Sequence, residues 1–314
     1  MTSRIAITGG LGYLGGRVAA HLKKAGYSPR LLTRNTDRNL PDWTNGLEVV
    51  GADIGEVASL ETAFSNIDQV IHLAAMNAPE SAGDPDAAKI VNVGGTRNVV
   101  NAAKNVGVTR MIYMSTAHVY GAPLRGHLDE LAATTNLHPY AATHRRAEDI
   151  VLNESEIEGV VLRLSNGVGQ PLDNAADCWM LIANDLCRQA VTNNELVLRG
   201  SGLDKRDFIP LGEVTRAVGH FTELEKSQVA DGLFNLAASK AVTTLSLAEQ
   251  VASRAEIVLG TRPEIQCGRG EDKPAPEFDI CIDKLTATGF SINRDLNAEL
   301  DATLLFCRDH FPNA

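Results

Sequence analysis

A glycine-rich segment directly after the first apolar run is the feature that most limits the possible folds. It reads Thr8-Gly9-Gly10-Leu11-Gly12-Tyr13-Leu14-Gly15 and follows the strand-like run Ile5-Ala6-Ile7. Without a Cβ, the chain can turn tightly and a pyrophosphate can approach the backbone. The helix that the segment opens would direct its free amide N–H groups at that anion. The segment therefore predicts a dinucleotide-binding βα unit, with contacts from Gly9, Gly12, Tyr13, Leu14 and Gly15.

Short apolar runs alternate with helical segments through the first half of the chain, which is typical of βαβ units and a parallel sheet. We predict strands over residues 5–8, 30–33, 47–50, 69–73, 110–115 and 160–164. Asp84-Pro85 predicts the start of a helix that runs to about residue 105, because Asp is a good N-cap and Pro suits the first helical turn. A further helix is expected over residues 139–153. The first of these helices is apolar on more than one face, so we expect it to pack against the sheet and against a partner subunit.

The pattern changes after about residue 165, where helices and short strands follow one another in mixed order with Gly, Pro and Asn turns. We therefore expect an α/β fold with a Rossmann-type, doubly wound parallel sheet. Residues 1–165 would form the dinucleotide-binding domain. Residues 166–314 would mainly form a smaller, mixed substrate-binding lobe, from which some segments return to the sheet.

The composition narrows the class of protein. The formal net charge of −10 argues against a general nucleic-acid or anionic-membrane surface, which would need a basic face. No apolar stretch approaches the roughly 20 residues that span a bilayer, and no secretory signal is visible. The five cysteines are scattered, without a C-x-x-C pair or other metal-ligand spacing. These features predict a cytoplasmic protein without a metal site.

The end of the second predicted strand bears on the choice of dinucleotide. In NAD-binding folds an acidic residue there binds the ribose 2′-hydroxyl. This chain has Thr33-Arg34-Asn35 instead. Because a guanidinium forms charge-assisted hydrogen bonds with phosphate, Arg34 favours NADP, with NAD as the alternative.

Four further motifs follow the glycine segment in a characteristic order. Asp53-Ile54 follows the third strand, and His72-Leu73-Ala74-Ala75 ends the fourth. Ser115-Thr116-Ala117-His118-Val119-Tyr120-Gly121 ends the fifth, and Pro139-Tyr140-Ala141-Ala142-Thr143-His144 opens the next helix. Together these motifs resemble the extended short-chain dehydrogenase/reductase family, the NAD(P)-dependent epimerase/dehydratase group that modifies nucleotide sugars.

The resemblance implies a role for each matching residue. Asp53 and Ile54 would contact the adenine, and Leu73, Ala74 and Ala75 would line the cofactor groove. Thr116 would polarise the substrate oxygen. Tyr140 would be the general acid/base, because hydride transfer at a carbinol carbon requires a proton to move at its oxygen.

One position departs from the family pattern Tyr-x-x-x-Lys, because this chain has His144 four residues after Tyr140. The spacing keeps both side chains on one helical face, so His144 could still bond the nicotinamide ribose. With an ordinary pKa near 6.5, however, its support of Tyr140 should fade as the pH rises through neutrality. This departure also leaves open a non-catalytic protein that senses NAD(P) or serves as a scaffold.

The second half of the chain contains segments that match elements of the same family less closely. Leu162-Arg163-Leu164-Ser165-Asn166 and Arg206-Asp207-Phe208-Ile209-Pro210 are similar to family elements in which an asparagine and an arginine bind the substrate diphosphate. Gly268-Arg269-Gly270-Glu271-Asp272 is similar to a further phosphate-binding element, which adds Arg269. Two guanidinium groups on a pyrophosphate would make bidentate, charge-assisted bonds.

The residues after Thr116 bear on the reaction. Family dehydratases have Asp-Glu there, whereas this chain has Ala117 and His118. The missing pair argues against a dehydratase, and Arg34 favours NADP. The sequence therefore predicts NADP-dependent reduction of a nucleotide-linked 4-keto sugar, so the substrate would be a nucleotide sugar. We also expect a homodimer formed through helices 85–105 and 139–153. The enzymatic alternative is an NAD-dependent nucleotide-sugar 4-epimerase.

Overall fold

The structure is a computed structural model that describes residues 3–36, 39–269 and 275–311. Within these residues the strands are β1 Ile5–Thr8, β2 Arg30–Thr33, β3 Glu48–Gly51, β4 Gln69–His72, β5 Arg110–Thr116, β6 Gly126–Leu128, β7 Glu158–Leu164, β8 Asn166–Val168, β9 Glu195–Leu198, β10 Lys205–Pro210, β11 Leu233–Leu236, β12 Ala241–Thr243, β13 Glu264–Cys267 and β14 Phe278–Ile280. The α-helices are α1 Tyr13–Lys24, α2 Val57–Ala63, α3 Ala78–Gly83, α4 Pro85–Ala88, α5 Gly95–Asn105, α6 Pro139–Leu152, α7 Ile182–Thr192, α8 Leu211–Glu223, α9 Thr244–Leu259, α10 Asp283–Ala287 and α11 Asn297–His310.

The central sheet has the strand order β3-β2-β1-β4-β5-β7-β11, and every pair in it is parallel. The order turns back between β1 and β4, which is the Rossmann switch point outside which dinucleotides bind. The predicted fold class is confirmed, and six strands lie within two residues of the predicted bounds. The seventh, β11, comes from beyond residue 165 and pairs with β7.

Two apolar layers cover the sheet. Helices α1 and α8 pack on one face through buried residues such as Val18, Leu22 and Phe221. Helices α2, α5 and α6 pack on the other through residues such as Leu60 and Val99. A third apolar cluster joins α7, α9 and α11, which all follow residue 165. None of the helices in the described residues is long and apolar enough to cross a membrane.

The helix predicted over residues 85–105 contains an irregularity that the sequence did not indicate. Asp84 caps it as expected, by accepting a hydrogen bond from the amide of Ala87 at 2.9 Å. Between α4 and α5, however, residues Lys89–Gly94 form a π-helical turn. Such turns are rare and occur often at functional sites. This one brings the buried Asn92 toward the first turn of α6.

Candidate active site

The glycine segment forms the turn that its sequence predicts. Gly9 has φ +66°, and a Cβ there would lie 3.0 Å from the amide nitrogen of Ala74. A Cβ on Gly15 would lie 2.1 Å from the carbonyl oxygen of Gly9. Gly12 is the N-cap of α1, which Tyr13 and Leu14 continue. The backbone is therefore free of side chains at the point where the helix N-terminus can receive a pyrophosphate.

The other predicted cofactor contacts lie at the carboxyl ends of neighbouring parallel strands. Arg34 follows β2 and is exposed. Asp53 follows β3 and accepts a hydrogen bond from the amide of Gly55 at 2.7 Å, while Ile54 lies against Gly95 of α5. Leu73, Ala74 and Ala75 follow β4 beside Gly9. The structure thus brings these residues to one edge of the sheet.

A buried network holds this edge in place, and the sequence did not reveal it. The Thr8 hydroxyl accepts the amides of Leu73 and Ala74 at 3.2 and 3.3 Å and lies 2.7 Å from Nδ1 of His72. Nε2 of His72 lies 3.0 Å from the hydroxyl of Thr96, which donates to the Asn92 carbonyl at 2.6 Å. Burial lowers the pKa of His72 to about 3, so the ring is neutral and links β1, β4 and α5 without charge.

The same network reaches the helix of the predicted acid/base. The Asn92 side chain accepts the Met76 amide at 2.8 Å and donates to the Thr143 hydroxyl at 3.0 Å. That hydroxyl in turn lies 2.7 Å from the carbonyl oxygen of Pro139 and 3.0 Å from that of Tyr140. The residues that follow β4 and the first turn of α6 are therefore joined by hydrogen bonds through one buried asparagine.

Thr116 and Tyr140 come together as predicted. Thr116 ends β5, is buried, and accepts the backbone amide of His118 at 3.2 Å. Burial raises the pKa of Tyr140, and a hydrogen bond with the Thr116 side chain partly offsets that rise. The imidazole of His138 caps α6 by accepting the Tyr140 amide at 3.3 Å. The phenol thus lies beside a hydroxyl that can hold the same substrate oxygen.

His144 is placed beside Tyr140, but its electrostatics differ from the expectation. It is buried, its ring centroid lies 4.2 Å from that of Tyr140, and its Nδ1 lies 2.9 Å from the Tyr140 carbonyl oxygen. Because a carbonyl only accepts, Nδ1 carries the proton and Nε2 carries the lone pair. Burial lowers the pKa of His144 to about 4, so the expected titration near 6.5 is wrong for the folded protein. Desolvation outweighs the carbonyl contact that favours the charged ring.

Two of the predicted diphosphate contacts, Asn166 and Arg206, lie on neighbouring strands that follow residue 165. Asn166 on β8 donates through Nδ2 to the carbonyl oxygen of Asp207 at 2.8 Å. Strand β10 pairs with β8 and contains Arg206. Arg269 is exposed just after β13, and the rest of its motif, residues 270–272, lies outside the described residues. Burial lowers the pKa of His118, and the charge of Arg206 lowers it further.

These features match a family of known proteins. The model of the NAD dependent epimerase/dehydratase family matches residues 5–237. The chain belongs to this family. It is therefore an NAD(P)-dependent oxidoreductase or epimerase of the extended short-chain dehydrogenase/reductase type, and the non-catalytic alternative is set aside. The open glycine turn, the helix N-terminus and the groove at the carboxyl edge fit the nicotinamide dinucleotide that the family uses.

Individual relatives show the range of the similarity. The chain is 29% identical to UDP-glucose 4-epimerase 4 of Oryza sativa subsp. japonica over 300 residues, which cover 83% of this chain and 80% of the relative. It is 26% identical to a putative UDP-glucose 4-epimerase of Methanocaldococcus jannaschii over 68% of this chain and 71% of the relative. The structure of the Thermus thermophilus UDP-glucose 4-epimerase in complex with NAD has a TM-score of 0.80 at 21% identity, over 98% of this chain and 99% of that one. The structural likeness shows the shared fold.

Proposed function

We propose that this enzyme reduces the 4-keto group of a nucleotide-linked sugar with NADPH, and that Tyr140 donates the proton. The observation that carries the proposal is the pairing of Tyr140 with a neutral, buried His144. The family lysine would place a positive charge at this position, and such a charge lowers the pKa of a phenol. A phenol with an ordinary pKa near 10 is already protonated at neutral pH, and burial raises the pKa of Tyr140 further. A protonated phenol is ready to act as a general acid, which is the role that reduction requires.

The remaining residues of the site have compatible roles. Thr116 would donate its hydroxyl hydrogen to the keto oxygen, since that hydroxyl already accepts the His118 amide and so has its oxygen fixed. Asn166, Arg206 and Arg269 would bind the diphosphate through charge-assisted hydrogen bonds. Bound NADPH would supply the hydride.

The choice of NADP rests on Arg34. It directly follows β2, where a carboxylate would bind the ribose 2′-hydroxyl of NAD, and it is exposed. An arginine here would pair with the 2′-phosphate of NADP.

A second candidate is an NAD-dependent nucleotide-sugar 4-epimerase, which the names of the relatives favour. Epimerisation begins with removal of a proton from the sugar hydroxyl, so Tyr140 would first have to act as a base. A raised pKa opposes this step, and the positive charge that lowers it would have to come from the oxidised nicotinamide of bound NAD rather than from residue 144. The two candidates therefore differ in the protonation state that they require of one phenol.

One experiment separates them. Purified enzyme is incubated with NADPH and UDP- or dTDP-4-keto-6-deoxyglucose, and separately with NAD and UDP-glucose. The reductase predicts stoichiometric loss of NADPH with the keto sugar and no formation of UDP-galactose. Formation of UDP-galactose without net consumption of cofactor would establish the epimerase instead. Inactivity in both assays, with the fold intact by circular dichroism, would contradict both candidates.

A further inference from the structure

Glu299, in the first turn of helix α11, joins three elements that are far apart in the sequence. Its carboxylate accepts two hydrogen bonds from Arg17 of α1, at 3.1 and 2.6 Å. It also accepts the backbone amide of Gly212, in the first turn of α8, at 2.7 Å. A Cβ on Gly169, directly after β8, would lie 2.4 Å from the same carboxylate, so glycine leaves the room that it needs. Glu299 therefore lies where α1, α8 and the residues after β8 meet.

Helix α1 also contacts the residues after β8 directly. The Tyr13 hydroxyl donates to the carbonyl oxygen of Gly169 at 2.6 Å, and Arg17 donates to that of Gln170 at 3.0 Å. Tyr13 and Arg17 are one helical turn apart and so lie on one face of α1. Their acceptors closely follow Asn166, the predicted diphosphate contact on β8. The helix whose N-terminus would receive the dinucleotide is thus bonded to the backbone beside the predicted substrate site.

Helix α11 has other contacts that hold it in the fold. The buried Leu300 belongs to the apolar cluster that α11 shares with α7 and α9, and Asp301 accepts Arg254 of α9 at 2.6 and 2.5 Å. The side chains of Arg17 and Glu299 are only 16% and 12% exposed. Because removing two charges from water costs free energy, a buried ion pair adds little net stability compared with well-packed apolar side chains. Positioning of the residues after β8 therefore explains this pair better than stability does.

We propose that Arg17 and Glu299 are positioning residues that couple dinucleotide binding to substrate binding. A dinucleotide at the N-terminus of α1 would fix that helix, and the bonds from Tyr13 and Arg17 would then fix the backbone beside Asn166. By linkage, a substrate held at Asn166 would tighten the dinucleotide by the same factor. Such coupling matters for hydride transfer, because a displacement of roughly 1 Å between reacting groups can cost about 10²-fold in rate. The substrate half of this inference rests on the proposed function, whereas the dinucleotide half does not.

Hydrogen exchange tests the dinucleotide half without any substrate. Exchange of the backbone amides of residues 166–172 is measured by mass spectrometry with and without saturating NADP or NAD, whichever binds. In the wild type, the dinucleotide should slow this exchange at least about 5-fold, the lower end of typical coupling between sites. In the double variant Arg17→Met/Glu299→Gln the slowing should fall below about 2-fold, while the glycine segment stays protected as in the wild type. The glutamine keeps an acceptor for the Gly212 amide, and removal of both charges leaves no unpaired ion of this pair.

A matched control is available on the same helix. Arg254→Met/Asp301→Asn removes the ion pair that joins α11 to α9, and it should keep the wild-type protection of residues 166–172. An equal loss of protection in both double variants would assign the effect to a looser α11 and overturn the proposal. Unchanged protection in Arg17→Met/Glu299→Gln, or no protection of these residues in the wild type, would overturn it as well.

Titration calorimetry tests the substrate half. The Kd values of UDP, dTDP, GDP and ADP are measured with and without the saturating dinucleotide. For the diphosphate that binds, the dinucleotide should tighten binding at least about 5-fold in the wild type and less than about 2-fold in Arg17→Met/Glu299→Gln. Equal tightening in the two proteins would overturn the substrate half. If none of the four binds, the proposed nucleotide-sugar function fails, and the exchange measurement alone decides whether this pair couples the dinucleotide to the residues after β8.

Discussion

Nδ1 of His144 lies 2.9 Å from the backbone carbonyl oxygen of Tyr140, one helical turn earlier. This bond fixes the ring in the position where the family has a lysine, but it does not supply the lysine's charge. The His144 ring centroid lies 6.1 Å from that of Tyr113, which in turn lies 5.4 Å from that of His72. His144, Tyr113 and His72 therefore form a series of neutral rings next to Tyr140.

Protonation of these buried rings should make the protein less stable in acid. The pKa of His144 is lowered to about 4 and that of His72 to about 3, both below the ordinary value of 6.5. Below pH 6.5 the unfolded chain therefore binds protons that the native state does not, so stability falls as the pH drops from 6.5 toward 4. Each ring contributes at most about 1.4 kcal/mol per pH unit to this slope.

Urea unfolding at pH 7, 6 and 5 measures this slope. His144→Gln should make it shallower, whereas replacement of the exposed His310 should not. An unchanged slope in His144→Gln would show that His144 titrates normally. The rate of catalysis should also lack an inflection near pH 6.5, because His144 stays neutral across that range.

The phenol of Tyr140 should be essential for turnover and dispensable for cofactor binding. Tyr140→Phe removes the proton donor while keeping the ring that packs on His144. We expect kcat to fall about 10²- to 10⁴-fold, the usual contribution of a general acid. The Kd of NADP, measured by titration calorimetry, should change little. Undiminished kcat would mean that another group moves the proton.

Arg34 should determine which dinucleotide binds more tightly. Wild-type enzyme is expected to bind NADP better than NAD, since a charge-assisted bond to the 2′-phosphate adds about 1.5–3 kcal/mol. Arg34→Asp should reverse this preference by repelling the phosphate and accepting the 2′-hydroxyl. Calorimetric titration with both cofactors tests the prediction, and equal affinities in the wild type would contradict it.

The sequence was most informative where function depends on local geometry. The glycine turn at Gly9 and the strand ends that carry Asp53 and Thr116 follow from short motifs whose backbone requirements are visible in the residues themselves. The helix that places Tyr140 was predicted to within a residue of its observed bounds, because Pro139 marks its start. Each of these features is determined by residues that lie next to one another in the sequence.

Other features depend on segments that are distant in sequence. The bond from Asn92 to Thr143 spans 51 positions and requires a π-helical turn that no local pattern indicates. The low pKa of His144 results from burial, which only the packed structure reveals. Strand β11 lies beyond residue 165, where the regular alternation of strands and helices ends, so its apolar pattern does not show that it joins the sheet.

The homodimer remains a prediction. The segment between residues 85 and 105 exposes Ile90, whose side chain is 72% accessible, beside α6. Light scattering at micromolar concentration should give twice the monomer mass, and Ile90→Glu should shift the mass toward the monomer because it would bury a charge in the interface. The exposed Ile257 on α9 provides a control, since Ile257→Glu should leave the mass unchanged. A monomeric wild type would refute the prediction.

Among the contacts described near the site, loss of the buried ion pair between Glu148 and Arg163 should lower the free energy of unfolding most. Arg163 on β7 donates to Glu148 on α6 at 3.0 and 2.7 Å, and Ser115, next to Thr116, donates to the same carboxylate at 2.5 Å. Both side chains are at least 97% buried, and apart from Glu148 the Arg163 guanidinium contacts only neutral groups among the described residues, the Glu130 carbonyl and the Tyr120 ring. Removal of the Glu148 charge therefore leaves a buried cation without a carboxylate.

Glu148→Gln should therefore lower the free energy of unfolding by about 3–5 kcal/mol and reduce kcat, because α6 and β5 carry Tyr140 and Thr116. Urea unfolding and steady-state kinetics measure the two effects. The double variant Glu148→Leu/Arg163→Met removes both charges and should recover much of the stability, since well-packed apolar groups can replace a buried pair. If the single and double variants are equally unstable, packing of α6 rather than the ion pair determines the loss. Arg262→Ala, which removes the exposed pair with Glu256 far from this site in the sequence, should cost less than about 1 kcal/mol.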